Sequence, residues 1–186
     1  MARLAVIVLV ITLSFVLVGC NEEASKSQVA TDTNTTGVVV ASDANALYAE
    51  GLRLEEQAGP LPVVKDENLL KKALDKYNQL ISKYPTSDKI DDAAFRMARI
   101  YEYLKDYDNA VKNYQRTYQW NPQTTTTARF KAAYLLDTKL GRRAEALPIY
   151  QDALSRITKS NEHTQWVFYA EQRVKELTGE VKPIRP

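Results

Sequence analysis

The sequence predicts an all-α fold, in which about three helical hairpins stack in chain order and a C-terminal helix closes the stack. Between residues 43 and 179, apolar residues recur every three or four positions, which is the spacing of an amphipathic helix. The same stretch has few glycines and no alternating runs of β-branched residues. A block of about 14 residues also occurs three times at nearly constant spacing, which indicates a repeat architecture.

Seven helices follow from this periodicity. They are predicted at about 43–57, 67–84, 88–105, 108–120, 124–139, 143–158 and 161–178. Five helix starts carry side-chain oxygens that can accept hydrogen bonds from free backbone amides: Asp43, Asp66, Ser87, Asp108 and Ser160. Pro85 and Pro122 follow the second and fourth helices and mark where they end.

The repeat is clearest in the second helix of each hairpin. Three alanines align at spacings of 37 and 36 residues: Ala73, Ala110 and Ala146. A tyrosine follows each of them four residues later: Tyr77, Tyr114 and Tyr150. The first helices share a small residue, Gly51, Ala98 or Ala133, with a bulky residue three positions on. Small residues allow close helix packing, so these small residues and the three tyrosines of the second helices are predicted to be buried. If the first helices form the working surface, Tyr103 and Tyr134, one turn round from Ala98 and Ala133, are predicted to be exposed.

These residues resemble the tetratricopeptide repeat (TPR) over residues 43–178. In that family the first helix carries a bulky, a small and an aromatic or aliphatic residue, and the second carries Ala, an aromatic residue four positions later and a terminal Pro. The resemblance implies an α-α superhelix of about three TPR hairpins with a C-terminal capping helix.

The chain also departs from the family pattern. About ten extra residues near Gly59–Val64 lie inside the first repeat, and Arg129 occupies a position that is usually bulky and apolar. The period exceeds the usual one by two or three residues. In this respect the chain is similar to the TPR subgroup found in outer-membrane β-barrel assembly lipoproteins and in the periplasmic partner of the Tol–Pal system.

By this resemblance the first helices line a concave groove that binds a partner protein. The residues carried over to that groove are Tyr48, Phe95, Arg99, Glu102, Tyr103, Phe130, Tyr134 and Asp137. The rings of Tyr48, Phe95 and Phe130 are expected either to hold an extended peptide or helix or to pack the stack together. Arg96, Arg99 and Lys131 are expected to add positive charge, which favours a partner segment with acidic and apolar residues.

The N-terminus predicts a secretory signal. Arg3 precedes an apolar run from Leu4 to Val18, which is shorter than a membrane-spanning helix. The run ends at Leu17-Val18-Gly19-Cys20, which resembles the lipobox of bacterial lipoproteins. The resemblance implies cleavage of residues 1–19 and a covalent diacylglycerol and N-acyl lipid on Cys20. The alternative is an uncleaved anchor helix with an incidental cysteine.

A polar linker separates this signal from the predicted domain. Residues 20–42 are rich in Ser, Thr, Asn and charged residues and are expected to form a flexible tether, followed by the TPR domain at 43–179 and a tail at 180–186. Arg3 is the only charged residue in the signal, so its cleavage lowers the number of basic residues from 25 by one and leaves the 23 acidic residues unchanged. A nearly neutral chain does not favour nucleic acid as a partner.

No motif in the sequence indicates catalysis or a cofactor. His163 is the single histidine, no glycine-rich phosphate loop is present, and adjacent acidic pairs such as Asp91-Asp92 point to different helix faces. We therefore expect no enzyme, no metal and no small-molecule substrate. The resemblance implies a lipid-anchored scaffold or adaptor for envelope proteins in outer-membrane protein, pilus or secretion-channel assembly, with a docking regulator of a peptidoglycan enzyme as the alternative.

The resemblance also implies the compartment. Asn21 is not the Asp that retains enteric lipoproteins in the inner membrane, so we expect the outer membrane, with the domain facing the periplasm. In a host with a single membrane, the anchor would lie in the cell membrane.

Overall fold

The computed structural model describes residues 33–64, 66–124, 126–157 and 165–180. Within these residues there are seven helices and no strand, which confirms the predicted fold class. The helices are α1 Thr33–Ala58, α2 Glu67–Lys83, α3 Ile90–Tyr103, α4 Tyr107–Trp120, α5 Thr127–Thr138, α6 Arg143–Ser155 and α7 Gln165–Thr178. No helix in this part of the chain is long and apolar enough to cross a bilayer.

Helices that follow each other in the sequence also pack against each other. The pairs α1–α2, α3–α4 and α5–α6 form three hairpins, and α7 packs on α6 and also contacts α5. This is the helical arrangement of TPR-like repeats with a closing helix.

The first helix begins earlier than predicted. Helix α1 starts at Thr33, ten residues before the expected start, and Asp43 lies inside it rather than at its cap. The sequence favours a tether here because residues 20–42 are rich in Ser, Thr, Asn and charged residues. The Thr and Val residues of the segment also have weak helix propensity. A helix that is already nucleated extends at little cost, because each added residue gains a hydrogen bond.

Two helix starts are capped by aspartate side chains. The Asp66 carboxylate accepts a hydrogen bond from the Asn68 amide at 2.8 Å, as predicted for α2. The cap of α4 is Asp106, which accepts from the Asn109 amide at 3.2 Å, and not the predicted Asp108. The predicted cap Ser160 lies outside the described residues.

The repeat register predicted from the sequence is confirmed by burial. All six of the aligned alanines and tyrosines of the second helices have no exposed surface: Ala73, Ala110, Ala146, Tyr77, Tyr114 and Tyr150. The small residues of the first helices are buried as well: Gly51, Ala98 and Ala133.

The core divides along α3. Met97 and Ile100 belong to a buried cluster with residues of α1 and α2, including Leu54. Ala98, on another face of α3, belongs to a second cluster that includes Leu136 of α5 and continues into α7. Helix α3 therefore connects the first hairpin with the remainder of the stack.

Arg129, which stands where the repeat family usually has a bulky apolar residue, is buried. Its side chain is 2% exposed, and its Nε donates to the Asp152 carboxylate at 2.7 Å. The guanidinium also lies 4.7 Å from the centre of the Tyr118 ring. Burial by itself raises the pKa of Asp152, but hydrogen bonds from Arg156 and Arg129, together with their charges, leave that pKa below its ordinary value.

Candidate functional site: a groove along the first helices

Three adjoining clefts form one groove, built mainly from α1, α3, α5, α7 and the loop after α1. The proximal cleft, about 340 Å³, is lined by Leu52, Glu55, Glu56, Gly59, Pro60, Leu61, Leu70, Arg96 and Arg99. The central cleft, about 740 Å³, is lined by Leu61, Pro62, Phe95, Arg99, Glu102, Tyr103, Lys105, Tyr107, Tyr114, Thr127 and Lys131. The distal cleft, about 560 Å³, is lined by Glu102, Lys131, Tyr134, Gln165, Trp166, Phe168 and Tyr169.

Shared residues join the clefts into a continuous surface. Leu61 and Arg99 line both the proximal and the central cleft. Glu102 and Lys131 line both the central and the distal cleft. Volumes of this size lie in the range of ordinary ligand sites, and their connection produces an elongated groove rather than a single pocket.

Five of the eight sequence-predicted groove residues line these clefts. Phe95, Arg99, Glu102 and Tyr103 meet in the central cleft, and Tyr134 lies in the distal one. Tyr103 and Tyr134 are half-buried, so the prediction that they are exposed is wrong. Their rings pack partly against neighbours; the centre of the Tyr134 ring, for example, lies 5.7 Å from that of Trp166.

Tyr48 packs inward and lines none of the three clefts. Its ring centre lies 5.9 Å from that of the buried Tyr77, and its side chain is half-buried. Burial raises the pKa of its hydroxyl above the ordinary value. The ring of Tyr48 was expected either to bind a partner segment or to pack the stack together, and its contacts support packing.

Phe130 and Asp137 do not line the groove, so their assignment to it is wrong. Phe130 is 1% exposed and belongs to the core. Asp137 is 4% exposed, and its two carboxylate oxygens accept hydrogen bonds from Arg173 of α7, both at 2.7 Å. The physical reason is that α5 packs against α4, α6 and α7, so almost every face of it is covered.

Carboxylates of the first helices bind the buried tyrosines of the second helices. The Tyr77 hydroxyl donates to Glu55, and the Tyr114 hydroxyl donates to Glu102 at 2.7 Å. Burial raises the pKa of both tyrosines, and the adjacent carboxylates raise it further, so both hydroxyls stay protonated as donors. Each glutamate lies four residues after the small residue of its helix, so the contact repeats with the sequence period.

A cation from the next first helix completes each of these contacts. Arg96 Nη1 lies 3.7 Å from Glu55, and Lys131 Nζ lies 2.9 Å from Glu102. The third repeat differs, because Asp137, which stands at the equivalent position, pairs with Arg173. Two of the three cations that were expected to be available to a partner, Arg96 and Lys131, are therefore neutralised inside the protein.

The third of these cations, Arg99, has no such counter-charge. Among the described residues, no hydrogen bond or ion pair involves its guanidinium, which is half-buried between the proximal and central clefts. Glu102, one helical turn away, is already engaged by Tyr114 and Lys131. Arg99 is thus a half-buried cation whose charge is available to a ligand.

The eight residues assigned to the groove by the resemblance include none from one of its walls and none from the α7 side of the distal cleft. Leu61 and Pro62, from the segment that interrupts the first repeat, form this wall. Trp166 and Phe168 of α7 lie in the distal cleft, and Phe168 is 67% exposed. The excess length of the first repeat was the signal for the wall, but length alone does not show where an insertion packs.

The described residues contain no group of His, Cys, Asp and Glu side chains that could hold a metal ion. Cys20 and His163 lie outside the described residues.

Comparison with known proteins identifies the family. No curated protein matches the chain. The model of the YfiO family, described as outer membrane lipoprotein, matches residues 39–165, which extend from within α1 to the first residue of α7 and cover more than half of the chain. The chain therefore belongs to the YfiO family of outer membrane lipoproteins.

Proposed function

We propose that this protein is a lipid-anchored scaffold that acts in the assembly of outer-membrane proteins by docking a segment of another envelope protein in its groove. The observation that carries the proposal is the continuous groove, in which aromatic rings and a cation without a counter-charge lie along successive first helices. Membership of an outer membrane lipoprotein family supports the compartment.

The shape and lining of the groove favour a polypeptide as the ligand. An extended segment contacts many side chains in a row, whereas a small molecule needs one enclosed cavity. Aromatic side chains such as Tyr103 and Phe168 provide large contact area at low entropic cost, and rings of this kind are frequent where binding energy is concentrated.

In this proposal the groove does no chemistry. Glu55 and Glu102, the two half-buried carboxylates that line it, are each bonded to a tyrosine hydroxyl and paired with a cation. Their role is structural, since they join one hairpin to the next. The lipid on Cys20 would keep the groove near the membrane, where its partners are assembled.

Complementation of a depleted strain tests the proposal. A strain depleted of the native protein expresses the Phe168→Ala or the Tyr103→Ala variant. The abundance of folded outer-membrane proteins is then measured in its membrane fraction. The matched control is Trp120→Ala, because Trp120 is a partly exposed aromatic residue that lines none of the clefts. We expect both groove variants to lower that abundance and the control to match the wild type.

The opposite pattern contradicts the proposal. Groove variants that fold, reach the membrane and restore all outer-membrane proteins to wild-type levels would show that this surface is not used in their assembly. Phe168→Ala is the more informative variant, because a side chain that is 67% exposed contributes little to folding.

A further inference from the structure

The central cleft carries an excess of positive charge in an apolar setting. It contains three cationic side chains, Arg99, Lys105 and Lys131, and one carboxylate, Glu102. The carboxylate is shared between Tyr114 and Lys131 at 2.7 and 2.9 Å. Arg99 and the exposed Lys105 therefore remain without a neutralising partner among the described residues.

We propose that Arg99 binds an aspartate or glutamate side chain in the middle of an extended partner segment, and that apolar side chains flanking this carboxylate occupy the central and distal clefts. The inference rests on the proposed function, since it names the chemistry of the segment that the groove docks.

The surroundings of Arg99 favour a carboxylate over other acceptors. Arg99 lines the central cleft together with Leu61 and Phe95, so a ligand that covers this cleft would exclude water from around its guanidinium. Removal of water strengthens the attraction between opposite charges. A planar guanidinium also presents paired donors that match the two oxygens of a carboxylate.

The position of Arg99 favours an internal side chain over the terminal carboxylate of a chain. Arg99 lines two clefts at once, and the groove continues on both sides of it, towards Gly59 in one direction and Phe168 in the other. A segment that ended at Arg99 would leave one side of the groove empty. A segment that passes across it fills both sides and buries more apolar surface.

Capped peptide libraries test this inference with the full-length, lipidated protein in detergent. Each library consists of N-acetylated, C-amidated decapeptides with one fixed central residue, Asp, Asn or Lys, and with mixed Phe, Leu, Val and Ser around it. A fourth library has Asn at the centre and a free C-terminal carboxylate. Retention of each library on the immobilised protein is measured at low and at physiological salt.

We expect the wild type to retain the Asp library about tenfold more than the Asn library, as a single hydrogen-bonded ion pair would produce. Arg99→Gln should remove this preference, and Arg99→Glu should shift it to the Lys library. The matched control is Arg53→Gln, since Arg53 is an exposed arginine of α1 that lines none of the clefts. It should behave as the wild type.

Two results overturn the inference. Neither of them by itself contradicts the proposed function, which the Phe168→Ala variant tests separately. Equal retention of the Asp and Asn libraries excludes a carboxylate at Arg99, and preference for the free-acid library assigns the site to a chain terminus. If Phe168→Ala still weakens binding of all libraries in either case, the groove remains the docking surface. If neither Arg99→Gln nor Phe168→Ala changes any retention, the proposed function fails as well.

Discussion

Helices α1 and α2 of the first hairpin pack closely at Gly51, and a single added methyl group tests this contact. A Cβ atom built on Gly51 would lie 2.6 Å from Cζ and 2.9 Å from Cδ1 of the Tyr77 ring. Carbon atoms in van der Waals contact are about 3.5–4.0 Å apart, so either the ring or the helix must move. The ring is fully buried, its hydroxyl is bonded to Glu55, and Tyr48 packs against it.

Two opposing effects set the magnitude for Gly51→Ala. Alanine in a helix interior adds about 1 kcal/mol of stability relative to glycine. Overpacking in a close-packed core subtracts roughly 1–3 kcal/mol. Because the ring is held on several sides, we expect the second effect to dominate and the free energy of unfolding to fall by up to about 2 kcal/mol. In a domain of this size the corresponding fall in Tm is up to about 8 °C.

Denaturant and thermal unfolding, followed by circular dichroism, measure this change in a double-mutant cycle with Tyr77→Leu. The smaller leucine leaves space for the methyl group, so Gly51→Ala should be neutral or stabilising in that background. If Gly51→Ala instead raises the free energy of unfolding equally in both backgrounds, the close contact between α1 and α2 is not present and the repeat register is wrong.

Three further predictions concern packing, charge and the anchor. Ala110→Leu should cost roughly 1–3 kcal/mol of unfolding free energy, because Ala110 has no exposed surface, whereas Ala144→Leu at an exposed position should cost little; equal melting temperatures would contradict this. Asp152→Asn should lower the free energy of unfolding by about 1–3 kcal/mol at neutral pH, since it leaves Arg129 buried without its counter-charge, and the cost should largely vanish in an Arg129→Met background. Because the pKa of Asp152 is depressed in the folded state, its contribution is present above about pH 4 and is lost as the pH falls further, so acid titration should destabilise the wild type more than Asp152→Asn. Cys20→Ser should leave the chain unprocessed and without incorporated radiolabelled palmitate; labelling that persists in this variant contradicts the lipid anchor.

The sequence was sufficient to predict the parts of the fold that depend on local periodicity. Helices α2 and α4 have one apolar stripe each, and their alanines and tyrosines repeat in register, so their position and buried faces could be predicted. The start of α1 could not be predicted in this way. Weak helix formers such as Thr and Val are helical there only as an extension of a helix that forms further along the chain.

The groove residues were harder to predict because accessibility depends on the number of neighbours. Phe130 stands at the same repeat position as Phe95, yet it is buried, since α5 has packed helices on more of its faces. Arg96 and Lys131 were expected to offer their charges to a partner, but each pairs with a carboxylate from the preceding repeat. Such pairs join residues that are distant in the sequence, and helical spacing within one segment gives no indication of them.

Site-specific photo-crosslinking in living cells tests the docking role of the groove most directly. Benzoylphenylalanine replaces Phe168 in the distal cleft, Tyr103 in the central cleft or, as a control, the exposed Lys112 of α4, which lines none of the clefts. We predict that both groove positions crosslink the same envelope protein on irradiation, that the Lys112 position does not, and that Arg99→Gln reduces the yield. Crosslinks to that protein from Lys112, with none from either groove position, would contradict the account.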